Sequence, residues 1–206
     1  MKFRRAFTAL VLMAAPATSK AQWSVERRID AMTDDTTLEG TVVNEQGHTL
    51  KVYRIPRGSA VWLTFRLAES ALDLLDGPKG FMLRVDSFPA NRLEPNPLVE
   101  RLTGKAMYAA EPKWAQAIIW HGKANEGLSP LLVQLMTGSR LLVRYFLPSG
   151  GYKEAAFTLD GGAATAIGRS LEIPSRYRCD LQTTPTNTSL GPRLPTLREW
   201  RQSLGC

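Results

Sequence analysis

Apolar and polar residues alternate with a period of two along three stretches of the chain. Val61, Leu63, Phe65 and Leu67 alternate with Ala60, Trp62, Thr64 and Arg66. Phe81, Leu83 and Val85 alternate with Met82, Arg84 and Asp86, and Leu141, Val143, Tyr145 and Leu147 with Leu142, Arg144 and Phe146. Successive side chains of a strand point to opposite faces, so each stretch predicts a strand with one face against a core. A run rich in Ile and Trp over 114–121 predicts another strand, and residues 41–43 and 50–55 predict two shorter ones. Residues 152–159 are the expected partner of 141–147, and a first strand is expected ahead of Asp30.

Turn residues lie between these segments: Asn44-Glu45-Gln46-Gly47, Pro56-Arg57-Gly58 and Pro148-Ser149-Gly150-Gly151. Glycine supplies positive φ at such turns and proline fixes φ. Strands joined by links this short must run antiparallel, and an alternating antiparallel sheet buries one face. Two helices share one grammar. Asn96 caps and Pro97 opens the first, with Leu98, Val99 and Leu102 directed inward and Gly104 closing it. Ser129, Pro130 and Gly138 do the same around Leu131, Leu132 and Leu135. Residues 160–171 predict a weaker helix, opposed by Gly161, Gly162 and Gly168. Residues 197–204 predict a last one, with Thr196 and Glu199 as a capping box and Leu197, Trp200 and Leu204 on one face. The fold expected is mainly β, an antiparallel β-sandwich or bent sheet with two to four short helices.

Residues 1–21 read as an export signal. Lys2, Arg4 and Arg5 precede an apolar run over 6–15, well short of the roughly 20 residues a membrane-spanning helix needs. Ser19-Lys20-Ala21 offers small residues for cleavage after Ala21, giving Gln22 as the new N-terminus. Arg4-Arg5-Ala6-Phe7 partly echoes a twin-arginine signal, though the general secretory route is the expectation. The expected location is the periplasm or the exterior, without stable membrane insertion. A β-rich domain over 22–180 is followed by a polar linker over 181–195 and a C-terminal helix over 196–206.

Charge adds little. The chain holds 26 basic and 19 acidic residues, a net charge of +7; the leader holds four of those bases and no acid, so the remainder carries +3. That balance predicts no nucleic-acid partner. The two cysteines, Cys179 and Cys206, bracket the C-terminal segment. In an oxidising compartment an internal disulfide is the default, closing a loop of about 28 residues and contributing roughly 3–4 kcal/mol. Two free thiols or a bond between chains are the alternatives.

Catalytic motifs are absent: no G-x-S-x-G, S-x-x-K, glycine-rich phosphate loop or H-E-x-x-H occurs. No enzyme activity, cofactor or metal is expected. His48, at a predicted turn, and His121, at a strand end, read as surface or edge residues. Asp30, Asp34 and Asp35 could gather around Ca²⁺, but aspartates also cap turns through their own backbone, which is the favoured reading. Arg84, Asp86 and Arg144 lie on the polar sides of strands. They form either an anion or peptide-terminus site or a solvated ion pair across the sheet. Arg84, Asp86, Arg144 and Asp34 are therefore the candidate binding residues. Trp62, Trp114 and Trp120 are either packed residues or an exposed aromatic platform.

The order of several short segments carries a resemblance. These are Gln22-Trp23-Ser24-Val25, Asp30-Ala31-Met32-Thr33-Asp34, Val61-Trp62-Leu63, Leu83-Arg84-Val85-Asp86, the leucines of 131–135, Leu141-Leu142-Val143-Arg144 and Ala156-Phe157-Thr158-Leu159-Asp160-Gly161. Over residues 22–171 the chain resembles exported bacterial proteins of the type VI secretion-associated VasI-like kind. It is more faintly similar to the invasion-associated locus B family. The resemblance implies an accessory envelope role and brings no catalytic residues. The expected function is an exported envelope protein without catalytic activity that binds another envelope or secretion-system protein. The alternative is a protein or enzyme that binds a small anion or cell-wall material through a strand-borne Arg/Asp site.

Overall fold

Every strand pairing among the described residues is antiparallel, as the short links require. A computed structural model describes residues 22–56, 58–103, 107–122, 127–160 and 162–172. The strands are β1 (Ser24–Ile29), β2 (Thr36–Val43), β3 (Thr49–Arg54), β4 (Val61–Arg66), β5 (Phe81–Val85), β6 (Asn91–Leu93), β7 (Tyr108–Glu111), β8 (Trp114–Trp120), β9 (Arg140–Phe146) and β10 (Tyr152–Thr158). The α-helices are α1 (Pro97–Thr103), α2 (Pro130–Thr137) and α3 (Ala163–Ser170), with a 3-10 turn at Gly77–Lys79. One sheet has the order β1-β2-β3-β4-β8-β7 and the other β10-β9-β5-β6. The protein is a mainly β sandwich of two antiparallel sheets.

The period-two residues meet between the sheets. Leu63 and Phe65 of one sheet and Leu83, Leu141, Val143 and Phe157 of the other are almost wholly buried. Phe65 bridges the layers, its ring centroid 5.4 Å from Tyr145, 6.3 Å from Phe157 and 6.4 Å from Phe81. Truncating one such side chain to alanine costs about 3–5 kcal/mol. At the β1–β2 end of the six-stranded sheet α3 packs over Gly40. A Cβ there would sit 3.2 Å from Ser170 Oγ and 3.3 Å from Ala166, so glycine allows the close approach.

The turns behave as their residues dictate. Gly47 adopts φ 79° where Asn44 closes the β2–β3 hairpin, and Gly150 and Gly151 adopt φ 93° and 78° between β9 and β10. Ser129 Oγ accepts the Leu132 N–H at 3.2 Å and caps α2, whose Leu131, Leu132 and Leu135 are buried as expected. Gly138 ends α2 at φ −77°, not in the left-handed region. It is small because Val85 and the Gln134 carbonyl press against it.

Several expectations are corrected. Leu98 of α1, assigned inward, is 67% exposed. The short strand expected at 41–43 extends back to Thr36, and β6 and β7 had no periodic signal to announce them. The export signal at 1–21, Cys179, Cys206, the linker over 181–195 and the helix over 196–206 lie outside the described residues.

Candidate binding site

Alternation along β5 and β9 puts Arg84 and Arg144 on the outer face of the four-stranded sheet, away from the core. Arg84 lies opposite Leu142, and Met82 opposite Arg144, so the two arginines are diagonal neighbours. The same parity adds two arginines that sequence reading missed. Arg92 lies opposite Met82 on β6, and Arg140 is two positions before Leu142 on β9. Arg140 was legible one step beyond the 141–147 alternation; Arg92 sits on a three-residue strand too short to show a period.

Aromatic rings and two carboxylates accompany these cations. The Arg144 guanidinium sits 4.1 Å from the Tyr152 ring centroid and donates to Glu154 Oε1 at 2.8 and 2.6 Å. That carboxylate raises the Arg144 pKa. Arg92 lies 6.0 Å from the Phe146 ring centroid and pairs with Glu94 at 2.6 Å. Arg84 and Arg140 are exposed and make no ion pair among the described residues. Four arginines thus stand against two glutamates, around half-buried Met82, Leu142 and Phe146 and a Tyr152 that is 55% exposed. The face suits an anion that also carries apolar surface.

Asp86 and Asp34 do other work. Asp86 follows β5 at φ 45°, and its carboxylate accepts the backbone N–H groups of Ser139 at 3.0 Å and Arg140 at 2.9 Å. It ties the end of β5 to the start of β9 and forms no ion pair with Arg84 or Arg144. Asp34 lies in the β1–β2 turn at φ 56°, its N–H bonded to the Asp30 carbonyl at 2.9 Å. Asp30 Oδ1 accepts the N–H groups of Met32 and Thr33. This is backbone capping, and among the described residues no three His, Cys, Asp or Glu side chains gather as metal ligands.

A second polar cluster fastens the link that crosses between the sheets, from β4 to β5. His48, expected at the surface, is only 5% exposed. It continues the inward parity of Leu50 and Val52, a signal that was present in the sequence. Its ring packs edge-on against Phe65 and Tyr145, and Nδ1 accepts the Ala68 N–H at 2.9 Å. Burial pushes the His48 pKa below its usual value; Asp73 opposes this, and Lys113 and Lys153 add to it. Asp73 receives Lys153 at 2.8 Å and the Tyr145 hydroxyl at 3.3 Å, and Lys113 donates to the Ala71 and Asp73 carbonyls. The Lys153 hydrogen bond lowers the Asp73 pKa, and burial pushes Tyr145 up to about 12. Each member has a partner within the fold, so the cluster acts as a fastening.

The tryptophans divide. Trp62 and Trp114 are half-buried on the outer face of the six-stranded sheet, where Trp114 Nε1 donates to Glu111 at 2.9 Å. Trp120, packed against the core, lies 5.6 Å from the Arg54 guanidinium. His121 is exposed beyond the end of β8. No helix among the described residues is long and apolar enough to cross a membrane. No family model, no curated protein and no solved structure matches this chain.

Proposed function

We propose that this protein is an exported, non-catalytic envelope component. It holds an acidic segment of another envelope or secretion-system protein against the outer face of β10-β9-β5-β6. The observation that carries the reading is the pair of exposed arginines, Arg84 and Arg140, that lack a carboxylate among the described residues and share a face with the Arg144–Tyr152 stack, Arg84 diagonal to Arg144 and Arg140 four residues before it on β9. Arginine presents a planar fork to a carboxylate, and an aromatic ring beside it adds apolar contact at small entropic cost. The resemblance to type VI secretion-associated proteins points to the same kind of role.

The test uses immobilised protein and periplasmic extract, with the double variant Arg84→Glu/Arg140→Glu alongside. The reading expects a captured protein that is released by salt and lost from the variant. Capture that is equal on both proteins, or unaffected by salt, overturns it.

A further inference from the structure

Among the described residues β1 pairs on one side only, and all six of its residues are exposed. Its other edge has a defined polarity. The Asp30 N–H bonds to the Asp35 carbonyl at 2.9 Å, so Asp30 turns its backbone groups toward the β2 side. Backbone direction alternates along a strand. Arg28, Glu26 and Ser24 therefore face β2, and the N–H and C=O groups of Val25, Arg27 and Ile29 point outward. The β10 edge is treated differently: Asn44 donates to the Ala156 carbonyl at 3.1 Å and Trp23 to that of Thr158 at 3.0 Å. On β1, Val25 is 38% and Ile29 56% exposed.

We propose that β1 is a self-association edge: two copies of this chain pair β1 to β1, antiparallel, about a two-fold axis at Arg27. Such an axis, perpendicular to the sheet, keeps each face on its own side, so outward-pointing residues oppose outward-pointing residues. Val25 then meets Ile29 of the second copy, Arg27 meets its own equivalent, and Glu26 meets Arg28. The apolar residues contact each other, and both Glu26–Arg28 pairs unite opposite charges. The next register in one direction sets Glu26 against Glu26, and in the other Arg28 against Arg28. A register centred on Ile29 would also pair unlike charges, Arg28 with Asp30, but it engages only the last residues of β1. Among the registers that pair most of the strand, charge complementarity selects the one centred on Arg27. Charged edge residues ordinarily discourage edge pairing; in this order they discriminate between registers instead. Each of these side chains already has a long ion pair within its own sheet, Glu26 with Lys51 at 3.5 Å and Arg28 with Glu39 at 4.0 Å, but at 50% and 78% exposure both keep surface for a second partner. The opposing feature is Arg27 on Arg27, whose guanidinium makes one long hydrogen bond among the described residues, 3.4 Å to Thr36 Oγ1.

Sedimentation of the purified protein over a range of concentrations tests this. A monomer–dimer equilibrium is expected. Glu26→Arg converts two attractive pairs into repulsive ones and weakens the dimer about tenfold or more. The charge swap Glu26→Arg/Arg28→Glu restores it, because unlike charges again face each other. Arg27→Thr removes the like-charge contact and tightens the dimer. Unchanged circular dichroism shows that each variant is folded, and Arg27→Thr remains informative if a reversal variant misfolds. A protein that stays monomeric at the highest concentration reached overturns the proposal. So does a dimer indifferent to Glu26→Arg, or a defect that the swap does not repair. None of these changes touches the arginine face of the other sheet, so their outcome is independent of the function proposed above.

Discussion

The Nδ1 atom of His48 accepts the backbone N–H of Ala68 at 2.9 Å inside the protein. That bond exists only while Nδ1 is unprotonated, because imidazolium has no acceptor. Burial is the main cause of the lowered His48 pKa, with Lys113 and Lys153 adding to it and Asp73 opposing. In the unfolded chain the ring titrates near 6.5, at about its ordinary value. A neutral ring in the folded state and a charged one in the unfolded state means that stability falls with acid. His48's contribution is complete above about pH 6.5 and is lost as pH drops through the lower folded value. Urea unfolding from pH 8 to 5 should show a declining midpoint. His48→Gln should flatten that slope and destabilise the protein at pH 8 by about 1–3 kcal/mol, by disturbing a buried hydrogen bond.

Tyr145 reports on the same fastening from the alkaline side. Its pKa is pushed up to about 12, first by burial and then by the Asp73 carboxylate. Asp73→Asn removes the charge and leaves the burial, so the Tyr145 pKa should drop yet stay above the usual phenol value of about 10. Tyr108, also pushed up to about 12 by burial and by Asp76, serves as an internal reference. Ultraviolet titration of the wild type and the variant checks this: one tyrosine should move and the other should not. A raised phenol pKa stabilises the fold below about pH 10 and ceases to do so as pH rises through 12.

Trp23 closes an edge as well as filling space. The residue is 6% exposed, its Cβ and backbone lie close to Gly162, and its indole N–H reaches the Thr158 carbonyl at 3.0 Å. Trp23→Phe keeps much of the packing and loses the bond, for an expected cost of about 1 kcal/mol. Trp23→Ala should cost about 3–5 kcal/mol. It also uncovers an edge carbonyl of β10, and light scattering of the alanine variant should show more aggregation than that of the phenylalanine variant.

The core was legible in the chain because one-sided burial writes itself as alternation. Leu63, Leu83 and Val143 each sit where a period of two puts them. Proline and glycine marked the β2–β3 and β9–β10 turns and the start of α2, because backbone geometry there is a local matter. Strands β6 and β7, of three and four residues, are held by neighbours rather than by any pattern of their own. The candidate site was half legible. The parity of Arg84 and Arg144 gave the right face, but their partners depend on strand order. Glu154 lies opposite Arg144 because β10 follows β9 through a tight turn, and Asp86 turns to the backbone of Ser139 and Arg140 at the strand end. His48 shows the limit of residue type as evidence: a polar residue beside a turn reads as surface, although its parity with Leu50 directs it inward.

Glu154 competes with any acidic ligand for Arg144. It holds the guanidinium through two bonds, and the pair is about a third exposed, at 39% and 34%. A pair so exposed contributes little to stability, and salt screens it. Glu154→Gln keeps the shape and removes one of the two negative charges on the arginine face. The melting temperature should therefore change little, while affinity for an acidic, tyrosine-bearing peptide should rise several-fold at low salt. Arg144→Gln should act in the opposite direction and leave a weaker dependence on salt, because one fewer cation meets the ligand. Fluorescence anisotropy of the labelled peptide at low and high salt reads both effects. Equal affinities for the wild type, Glu154→Gln and Arg144→Gln would show that the ligand does not engage this face.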